Sequence, residues 1–283
     1  MTLPAGAREI TRVGGGDINE AYHLILADGR EAFVKTRGDA APGEYAAEAR
    51  GLRWLAEPGG VRTPRVLDLD ERYLALEWIA PGRLDAAGAE ELGRGLAATH
   101  LAGARSFGEP GRESEEGAAS ASAGFGSLRL SNEPAPDWPS FYAERRLRPL
   151  ARIARERGAL TPAGIAAVER VCDRIDDLVG VAEPPARLHG DLWWGNVMAD
   201  SHGLPRLIDP SAYGGHREID LAMLRLFGGA PARLFDAYEE AAPLASGWED
   251  RVTLYQLLPL LVHTLLFGGS YAQSLQRTAR HYA

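Results

Sequence analysis

The 283-residue sequence has few of the features that mark membrane proteins, disulfide-rich folds or nucleic-acid-binding proteins. Its single cysteine, Cys172, excludes an internal disulfide and a cysteine-based metal site, and its apolar helical context predicts a core position. The net charge of -8 is the opposite of the basic excess that nucleic-acid partners require, so we expect none. The most apolar stretch, residues 254–267, is too short to span a bilayer, which predicts a buried helix and no membrane partner.

Two further absences concern location and assembly. Residues 1–10 lack the apolar segment of a secretory signal, so we expect a cytoplasmic protein. The sequence has no coiled-coil pattern and no long exposed apolar stripe, so we expect a monomer. In contrast, the hydrophobic fraction of 45% is ample for a packed core. We predict one unit with two lobes, residues 1–80 and residues 81–283.

The segment from His189 to Asn196 fits the template H-x-D-x-x-x-x-N of kinase catalytic loops. In that template Asp191 accepts the proton of the substrate hydroxyl group, and Asn196 holds a metal ion. Asp209 then supplies a carboxylate for Mg²⁺. Phosphoryl transfer needs such a set, because the hard cations that neutralise phosphates prefer oxygen ligands. The alternative, a polar turn that holds these residues by chance, is disfavoured by the match in both spacing and residue type.

Three departures from protein kinases narrow the range of possible phosphate acceptors. Gly190 occupies the position of the arginine that pairs with a phosphorylated activation loop, and Pro210 follows Asp209 in place of Phe-Gly. No A-P-E motif follows. Without an activation segment the chain cannot present a peptide as protein kinases do, so we expect a small-molecule acceptor or a small adduct.

The N-terminal part of the sequence predicts a nucleotide-binding sheet. Strand-like runs flank the dipeptide Asp28-Gly29, which is a strong hairpin signal. Lys35 ends an apolar run, as does the lysine that contacts nucleotide phosphates in kinases. Three glycines between the first two strands, Gly14, Gly15 and Gly16, would let the backbone approach and bind those phosphates, although a simple turn is the alternative.

The next helix and strand supply further candidates for the nucleotide site. Glu48 lies on the border of the helix face formed by Tyr45, Ala49, Leu52 and Leu55, and a carboxylate directed inward should pair with a cation, for which Lys35 is the natural partner. Two more strands, at residues 61–68 and 73–79, complete a five-stranded antiparallel sheet. The breaker group at residues 80–82 then predicts a hinge, and backbone groups near Glu77 and Ile79 would bind the adenine edge.

The remainder of the sequence predicts a larger and mostly helical lobe. His100 is more typical of a core histidine than of a catalyst, and Asp220 more typical of a cap or anchor than of a substrate ligand. The acceptor pocket could be lined by His216, Arg217 and Glu218, with a loop-fixing role as the equal alternative. Residues 109–126 have no apolar period and predict a flexible loop, which is either a lid or a plain insertion.

Several of these motifs together resemble the fructosamine kinase (ketosamine-3-kinase) family. The H-G-D-x-x-x-x-N core alone is shared with aminoglycoside phosphotransferases and choline kinases, whereas Trp193 and the G-H-R-E run that ends at Glu218 are more specific. The resemblance covers nearly the whole chain. It implies an α+β, two-lobed, protein-kinase-like fold and the phosphorylation of the 3-hydroxyl group of a ketosamine, with ATP and Mg²⁺.

The same resemblance assigns roles residue by residue. Asp191 is the base, Asn196 and Asp209 hold Mg²⁺, Lys35 paired with Glu48 orients the phosphates, and the glycine loop covers them. Separately from the resemblance, Trp193 or Trp194 is a candidate to stack on the sugar, with a core position for one of them as the equal alternative. The acceptor sugar stays open, as does the choice between a free amino acid and a glycated lysine of a protein.

Two alternatives remain from the sequence. An aminoglycoside or amino-alcohol kinase is one, although a site for a polycation should be strongly acidic and this sequence places basic residues near the expected cleft. A nucleotide-binding pseudokinase is the other. The presence of every catalytic residue argues against it, because a binding module needs no proton acceptor.

Overall fold

An antiparallel sheet occupies the N-terminal part of the computed structural model, which describes residues 7–14, 19–108, 122–125 and 128–283. Its strands and the helix that packs on them are β1 (Ala7–Val13), β2 (Glu20–Leu26), β3 (Glu31–Thr36), α1 (Glu44–Ala56), β4 (Val66–Asp70) and β5 (Tyr73–Glu77). The strand order is β1-β2-β3-β5-β4, and every neighbouring pair is antiparallel. The predicted five-stranded sheet is confirmed.

The alternation of side chains along β3 and β5 determines what each face of the sheet contacts. Val34 and Ala75 lie opposite one another and pack in a cluster on one face. Leu74 packs on the other face, against Leu52 of α1. Lys35 lies opposite Leu74 in the register, so the strand directs its side chain toward α1. A predicted nucleotide-binding lysine therefore points at the helix that carries Glu48.

Some strand boundaries follow the sequence prediction and others do not. The β2–β3 turn contains Gly29, whose φ of 83° suits glycine and whose N–H group donates to Leu26 O at 2.9 Å. The fourth strand was predicted to begin at Val61 but begins at Val66. Val61 instead packs in an apolar cluster with Leu92 and other residues outside the sheet.

Most of the remaining described chain is helical, with short strand pairs between the helices. In chain order the elements are α2 (Ala86–Leu101), β6 (Ser122–Phe125), β7 (Leu128–Ser131), α3 (Trp138–Tyr142), a π-helical turn (Ala143–Leu147), α4 (Arg148–Glu156), α5 (Pro162–Asp173), α6 (Ile175–Leu178), β8 (Ala186–Leu188), β9 (Val197–Ala199), β10 (Pro205–Leu207), β11 (Tyr213–Gly215), α7 (Glu218–Leu226), α8 (Ala232–Ala241), α9 (Trp248–Tyr255), α10 (Leu257–Phe267) and α11 (Ser270–Tyr282). The strand pairs are β6–β7, β8–β11 and β9–β10.

The apolar stretch at residues 254–267 forms the end of α9 and all of α10, and most of its side chains are buried as predicted. Cys172 is also buried, at 4% exposure. Among the described residues, no helix is both long and apolar enough to cross a membrane. The apolar helix α10 therefore belongs to the core of the C-terminal part.

One apolar cluster joins the sheet region to the helical region. Trp54 and Leu55 of α1 pack in the same cluster as Leu192, which follows Asp191, and Leu207, which lies two residues before Asp209. Residues of α2 and α8 complete this cluster. Because close-packed interiors tolerate little displacement, this contact fixes α1 relative to the loop that carries Asp191.

Candidate active site

The catalytic-loop segment turns sharply at Gly190, between β8 and β9. This glycine has a φ of 81°, and a Cβ atom at this position would lie 2.2 Å from the Ser211 carbonyl oxygen. A side chain is excluded by both the backbone conformation and the available space. The glycine that replaces the protein-kinase arginine is therefore a steric requirement of this loop.

His189 orients the loop from inside the core. Its Nε2–H group donates to the Ile208 carbonyl oxygen at 2.9 Å, and Nδ1 accepts from the Asp191 N–H group at 3.3 Å. Burial lowers the pKa of His189, which favours the neutral imidazole that this donor and acceptor pattern requires. Its position in the H-x-D motif was the signal for this role, but sequence reasoning assigned it none.

Asp220, in the first turn of α7, anchors the same loop. Its carboxylate is fully buried and accepts from the N–H groups of His189 at 2.7 Å and Gly190 at 2.9 Å. It also contacts His100 Nε2 at 3.2 Å, and His100 Nδ1 lies 2.8 Å from the Tyr238 hydroxyl. Both were predicted as structural residues, and the buried network they form holds the backbone beneath Asp191.

Asp191 is half-buried and close to two other carboxylates. Burial raises its pKa to about 7, and the charges of Asp209 and Asp220 add to the shift. Asn196 turns its amide Nδ2 toward Asp191, donating to the backbone oxygen at 2.8 Å. In the described part of the chain no hydrogen bond reaches Asn196 Oδ1, so this oxygen is available to a cation.

Asp209 lies just after β10 in a backbone conformation that is unusual for aspartate. Its φ is 53°, and it is the one non-glycine residue with positive φ in the described ranges. Such a conformation costs about 1–3 kcal/mol and is concentrated at functional sites. The side chain is 49% exposed, and Oδ1 lies 2.8 Å from Lys35 Nζ. The Lys35 ammonium holds the pKa of the Asp209 carboxyl below its usual value, so Asp209 is ionised at neutral pH.

Lys35 is buried and contacts both Glu48 and Asp209. Burial alone would lower the pKa of Lys35, but the two carboxylates outweigh it and raise the pKa above its ordinary value. One ammonium group is thus shared by two carboxylates, and Glu48 Oε1 has no hydrogen-bond partner among the described residues. The site therefore carries more negative than positive charge.

That charge excess fits a divalent cation. Asp191, Asn196 and Asp209 offer hard oxygen ligands, which Mg²⁺ prefers. Within residues 7–14, 19–108, 122–125 and 128–283, no three His, Cys, Asp or Glu side chains converge into a closed metal site. An ion held here would complete its coordination with ligands from outside the protein, as Mg²⁺ does when it bridges to substrate phosphates.

The hinge candidates lie where β5 ends. Glu77 donates its N–H group to Arg65 O at 2.8 Å, and its carboxylate accepts from Arg65, so its side chain is occupied. Ile79 is 9% exposed, and within the described chain its N–H group has no backbone acceptor. The role of these backbone groups in adenine binding stays a prediction. Gly14 follows β1 directly, whereas Gly15 and Gly16 lie outside the described residues, as do residues 109–121 and 126 of the predicted flexible loop.

The structure places His216, Arg217 and Glu218 in the interior, at 2%, 9% and 1% exposure. Arg217 forms a bidentate pair with Glu183, at 2.7 and 2.8 Å. Glu218 pairs with Arg251 at 2.9 and 2.6 Å. These contacts support the loop-fixing alternative and not the expected contact with an acceptor, because both charges are already satisfied.

The two tryptophans of the catalytic loop have different environments. Trp193 is 40% exposed, and its ring lies over Gly195, where a Cβ atom would be 2.1 Å from the indole. Trp194 is half-buried and packs against an apolar cluster and Gly229. Of the two, Trp193 is the more exposed, and its contact with the sugar stays a prediction.

A small cavity adjoins Asp191. Apart from Asp191 and His263 its walls carry no ionisable side chain, and its lining is Phe125, Gly190, Asp191, Ile219, Met223, Leu258, Pro259, Val262 and His263. Sequence reasoning missed Phe125, Met223 and the residues of α10. The one available signal was the i, i+4 pair of Pro259 and His263 within an otherwise apolar helix.

Comparisons with known proteins show the family to which this chain is similar. The sequence model described as fructosamine kinase matches residues 3–282. A probable ketoamine kinase of Thermus thermophilus is 39% identical, over 93% of this chain and 90% of the relative. A structure assigned as a fructosamine-3-kinase of Thermobifida fusca has a TM-score of 0.88 and 46% identity, covering 98% of this chain and 93% of the other.

A structure with lower sequence identity is also similar in fold. The choline kinase of Streptococcus pneumoniae has a TM-score of 0.61 at 16% identity, covering 98% of this chain and 94% of the other. Together with the five-stranded sheet and the helical remainder, this likeness confirms the predicted kinase-like fold. From the match to the family along nearly its whole length, the chain belongs to the fructosamine kinase family and is an ATP-dependent kinase.

Proposed function

We propose that the enzyme transfers the γ-phosphoryl group of ATP to the 3-hydroxyl group of a ketosamine. The observation that carries the proposal is the position of Asp191. Asp191 lines the cavity, and it is close enough to Asp209 for the charge of Asp209 to raise its pKa. An acceptor hydroxyl in the cavity would therefore lie beside both a proton acceptor and the carboxylate assigned to the metal.

Asp191 has the proton affinity that a general base needs. A base with a pKa near the working pH combines the correct protonation state with a useful driving force. The pKa of about 7 for Asp191 meets this condition. Asn196, bonded to the Asp191 backbone, and His189, bonded to its N–H group, keep the carboxylate oriented. The proton of the acceptor hydroxyl passes to Asp191 as the oxygen attacks the γ-phosphorus atom and the bond to ADP breaks.

The remaining residues of the cleft bind and neutralise the nucleotide. Asp209 and Asn196 Oδ1 would hold Mg²⁺, which neutralises the phosphate oxygens when it is bound. Lys35 would contact the phosphates while Glu48 keeps its ammonium group in place, and the loop at Gly14 to Gly16 would cover them. Backbone groups at Glu77 and Ile79 would bind the adenine.

The family points to ketosamines, and the lining of the cavity argues against a polycationic acceptor. Proteins named ketoamine kinases are similar to this chain over nearly its full length. In the described chain the cavity beside Asp191 has one carboxylate and several apolar side chains. A site for a polycationic aminoglycoside would need more acidic groups to meet the charges of its ligand. The lining therefore favours a ketosamine over that alternative.

Phosphorylation would prepare the acceptor for repair. A phosphate at C3 of a ketosamine is a good leaving group, so the product can eliminate phosphate, and hydrolysis then releases the amine. The proposed function is thus the removal of sugar adducts from amines. Free amino acids and lysine residues of glycated proteins both fit this chemistry.

The test is ADP release with Mg²⁺ and ATP in the presence of four acceptors at equal concentration: ribuloselysine, fructoselysine, kanamycin and choline. We expect turnover with the two ketosamines alone. Turnover with kanamycin or choline alone would leave the catalytic residues in place but contradict the repair function. A lack of turnover with all four would favour a nucleotide-binding protein without kinase activity on these acceptors.

A further inference from the structure

A group of aromatic rings lies beside the cavity. Trp193 contacts Phe227 edge to face with 6.1 Å between ring centroids, and Phe227 lies 4.8 Å from His263. His263 in turn lies 5.1 Å from Tyr271 and 5.4 Å from Phe267. These five residues form one continuous cluster, which we call the aromatic collar. It joins the catalytic loop to α10, α11 and the residue that follows α7.

The collar exposes more apolar surface than a packing role requires. Trp193 is 40% exposed, Phe227 is 37% exposed and Phe267 is 55% exposed. The other large apolar side chains that are exposed in the described chain are aliphatic: Ile10, Leu69, Leu101 and Val181. Scattered apolar residues are normal on a protein surface, whereas a contiguous group marks a contact site. The grouping of the three exposed aromatic residues therefore points to a ligand.

The collar is continuous with the proposed active site. His263 belongs to the collar and also lines the cavity that contains Asp191. Trp193 follows Asp191 by two positions, and the close approach of its ring to Gly195 limits where the indole can lie. A molecule whose hydroxyl group meets Asp191 would therefore have the collar within reach of its other end.

His263 offers a hydrogen-bond acceptor at the border between cavity and collar. Its Nδ1–H group donates to the Pro259 carbonyl oxygen at 2.8 Å, which leaves the lone pair of Nε2 for another partner. Burial lowers the pKa of His263, so the ring is neutral near pH 7. A neutral ring beside aromatic surface can accept an N–H or O–H bond and still contact carbon atoms.

We propose that the aromatic collar binds the hydrocarbon chain carried by the amine of a small ketosamine acceptor. This inference rests on the proposed function, because it takes the 3-hydroxyl group of that acceptor to lie at Asp191. The collar residues carry no formal charge at neutral pH, and aromatic rings bury large apolar areas against carbon chains. The enzyme should therefore distinguish acceptors by the chain beyond the nitrogen, and an amine linked through several methylene groups should be preferred.

The experiment compares two acceptors that share one sugar: the fructose adducts of hexylamine and of methylamine. Each buried methylene group contributes about 0.8 kcal/mol when fully covered, so partial cover of five should raise kcat/KM about tenfold. The variants Phe227→Ala and Phe267→Ala should each reduce this ratio about threefold or more. Leu101→Ala, an exposed apolar residue of α2 outside the collar, is the matched control and should keep the wild-type ratio.

Each outcome is decisive. A wild-type ratio near one, or a ratio that both phenylalanine variants retain, would overturn the collar assignment. Turnover of the methylamine adduct in that case would leave the proposed function intact. Turnover of neither adduct would contradict both proposals, and an equal loss of the ratio in Leu101→Ala would show that the effect does not belong to the collar. The two phenylalanines are partly exposed and can be tested independently, with thermal unfolding as the check on folding.

Discussion

Two regions of the molecule combine carboxylates with basic side chains, and they balance charge in different ways. Around residues 216–218, each carboxylate has its own guanidinium partner: Glu183 with Arg217, and Glu218 with Arg251. In the cleft, Glu48 and Asp209 share the single ammonium group of Lys35, and the Asp191 carboxylate has no basic partner among the described residues.

Paired charges of this kind stabilise the fold, whereas unmatched carboxylates indicate a place for a ligand. A buried charge that is paired and hydrogen-bonded needs no ligand. Removing its partner lowers the free energy of unfolding. Unmatched carboxylates at a partly open site are costly unless a ligand supplies the missing charge. Burial raises the pKa of both Asp191 and Glu48 to about 7. With both of them ionised, three carboxylates and one ammonium leave an excess of two negative charges, which one divalent cation would balance. The comparison predicts that substitutions in the two regions change different observables.

The largest effect is expected for Asp191→Asn. The amide cannot accept the proton of the acceptor hydroxyl, so kcat should fall by about 10²–10⁴-fold. Nucleotide binding should be largely retained, because Asp191 contacts neither Lys35 nor Glu48. Steady-state ADP release measures the first quantity, and calorimetric titration with nucleotide measures the second. Unchanged turnover would remove the assignment of Asp191 as the base.

Sequence reasoning reached much of this site because part of it is encoded locally. The spacing of Asp191 and Asn196 is fixed by one loop. The apolar run that ends at Lys35, together with the helix face beside Glu48, was enough to pair these two residues. The second partner of Lys35 is 174 residues away, at Asp209, and was not predicted as a contact.

The part that sequence reasoning missed depends on distant packing. The cavity brings Phe125 and Met223 to Asp191 from β6 and α7, and no periodicity relates those positions. The role of Glu218 likewise depends on Arg251, 33 residues further along the chain. A polar motif in sequence does not reveal whether its charges will be matched, since the partners come from elsewhere in the fold.

The second prediction tests the region around residues 216–218, where each carboxylate has its own guanidinium partner. Glu218→Gln leaves the Arg251 guanidinium without its carboxylate in the interior, and breaking a buried pair of this kind costs about 3–5 kcal/mol. The free energy of unfolding from denaturant titration should fall by that amount, while kcat of the folded enzyme should change much less than in Asp191→Asn. A large loss of kcat with unchanged stability would mean that residues 216–218 act in the reaction after all.

A smaller effect on kcat/KM is expected when the pH is changed. Asp191 must be deprotonated to act as a base, so kcat/KM should rise as the pH increases through about 7, the raised pKa of this carboxyl. Below that pH the value should fall about tenfold per unit, as for a single titrating base. The profile of ADP release between pH 5.5 and 8.5, at roughly constant ionic strength, measures it. A flat profile over that range would contradict the assignment.

The most direct measurement of the unmatched charge is the thermal unfolding of the wild type and of Asp209→Asn with a non-hydrolysable ATP analogue, with and without Mg²⁺. A ligand that binds the folded state raises the unfolding temperature, and the rise grows with the logarithm of the ligand concentration divided by Kd. We predict that Mg²⁺ together with the analogue stabilises the wild type more than the analogue alone, and that Asp209→Asn loses most of this increment. An increment of equal size in both proteins would contradict the central claim that the unmatched carboxylates of the cleft hold the metal.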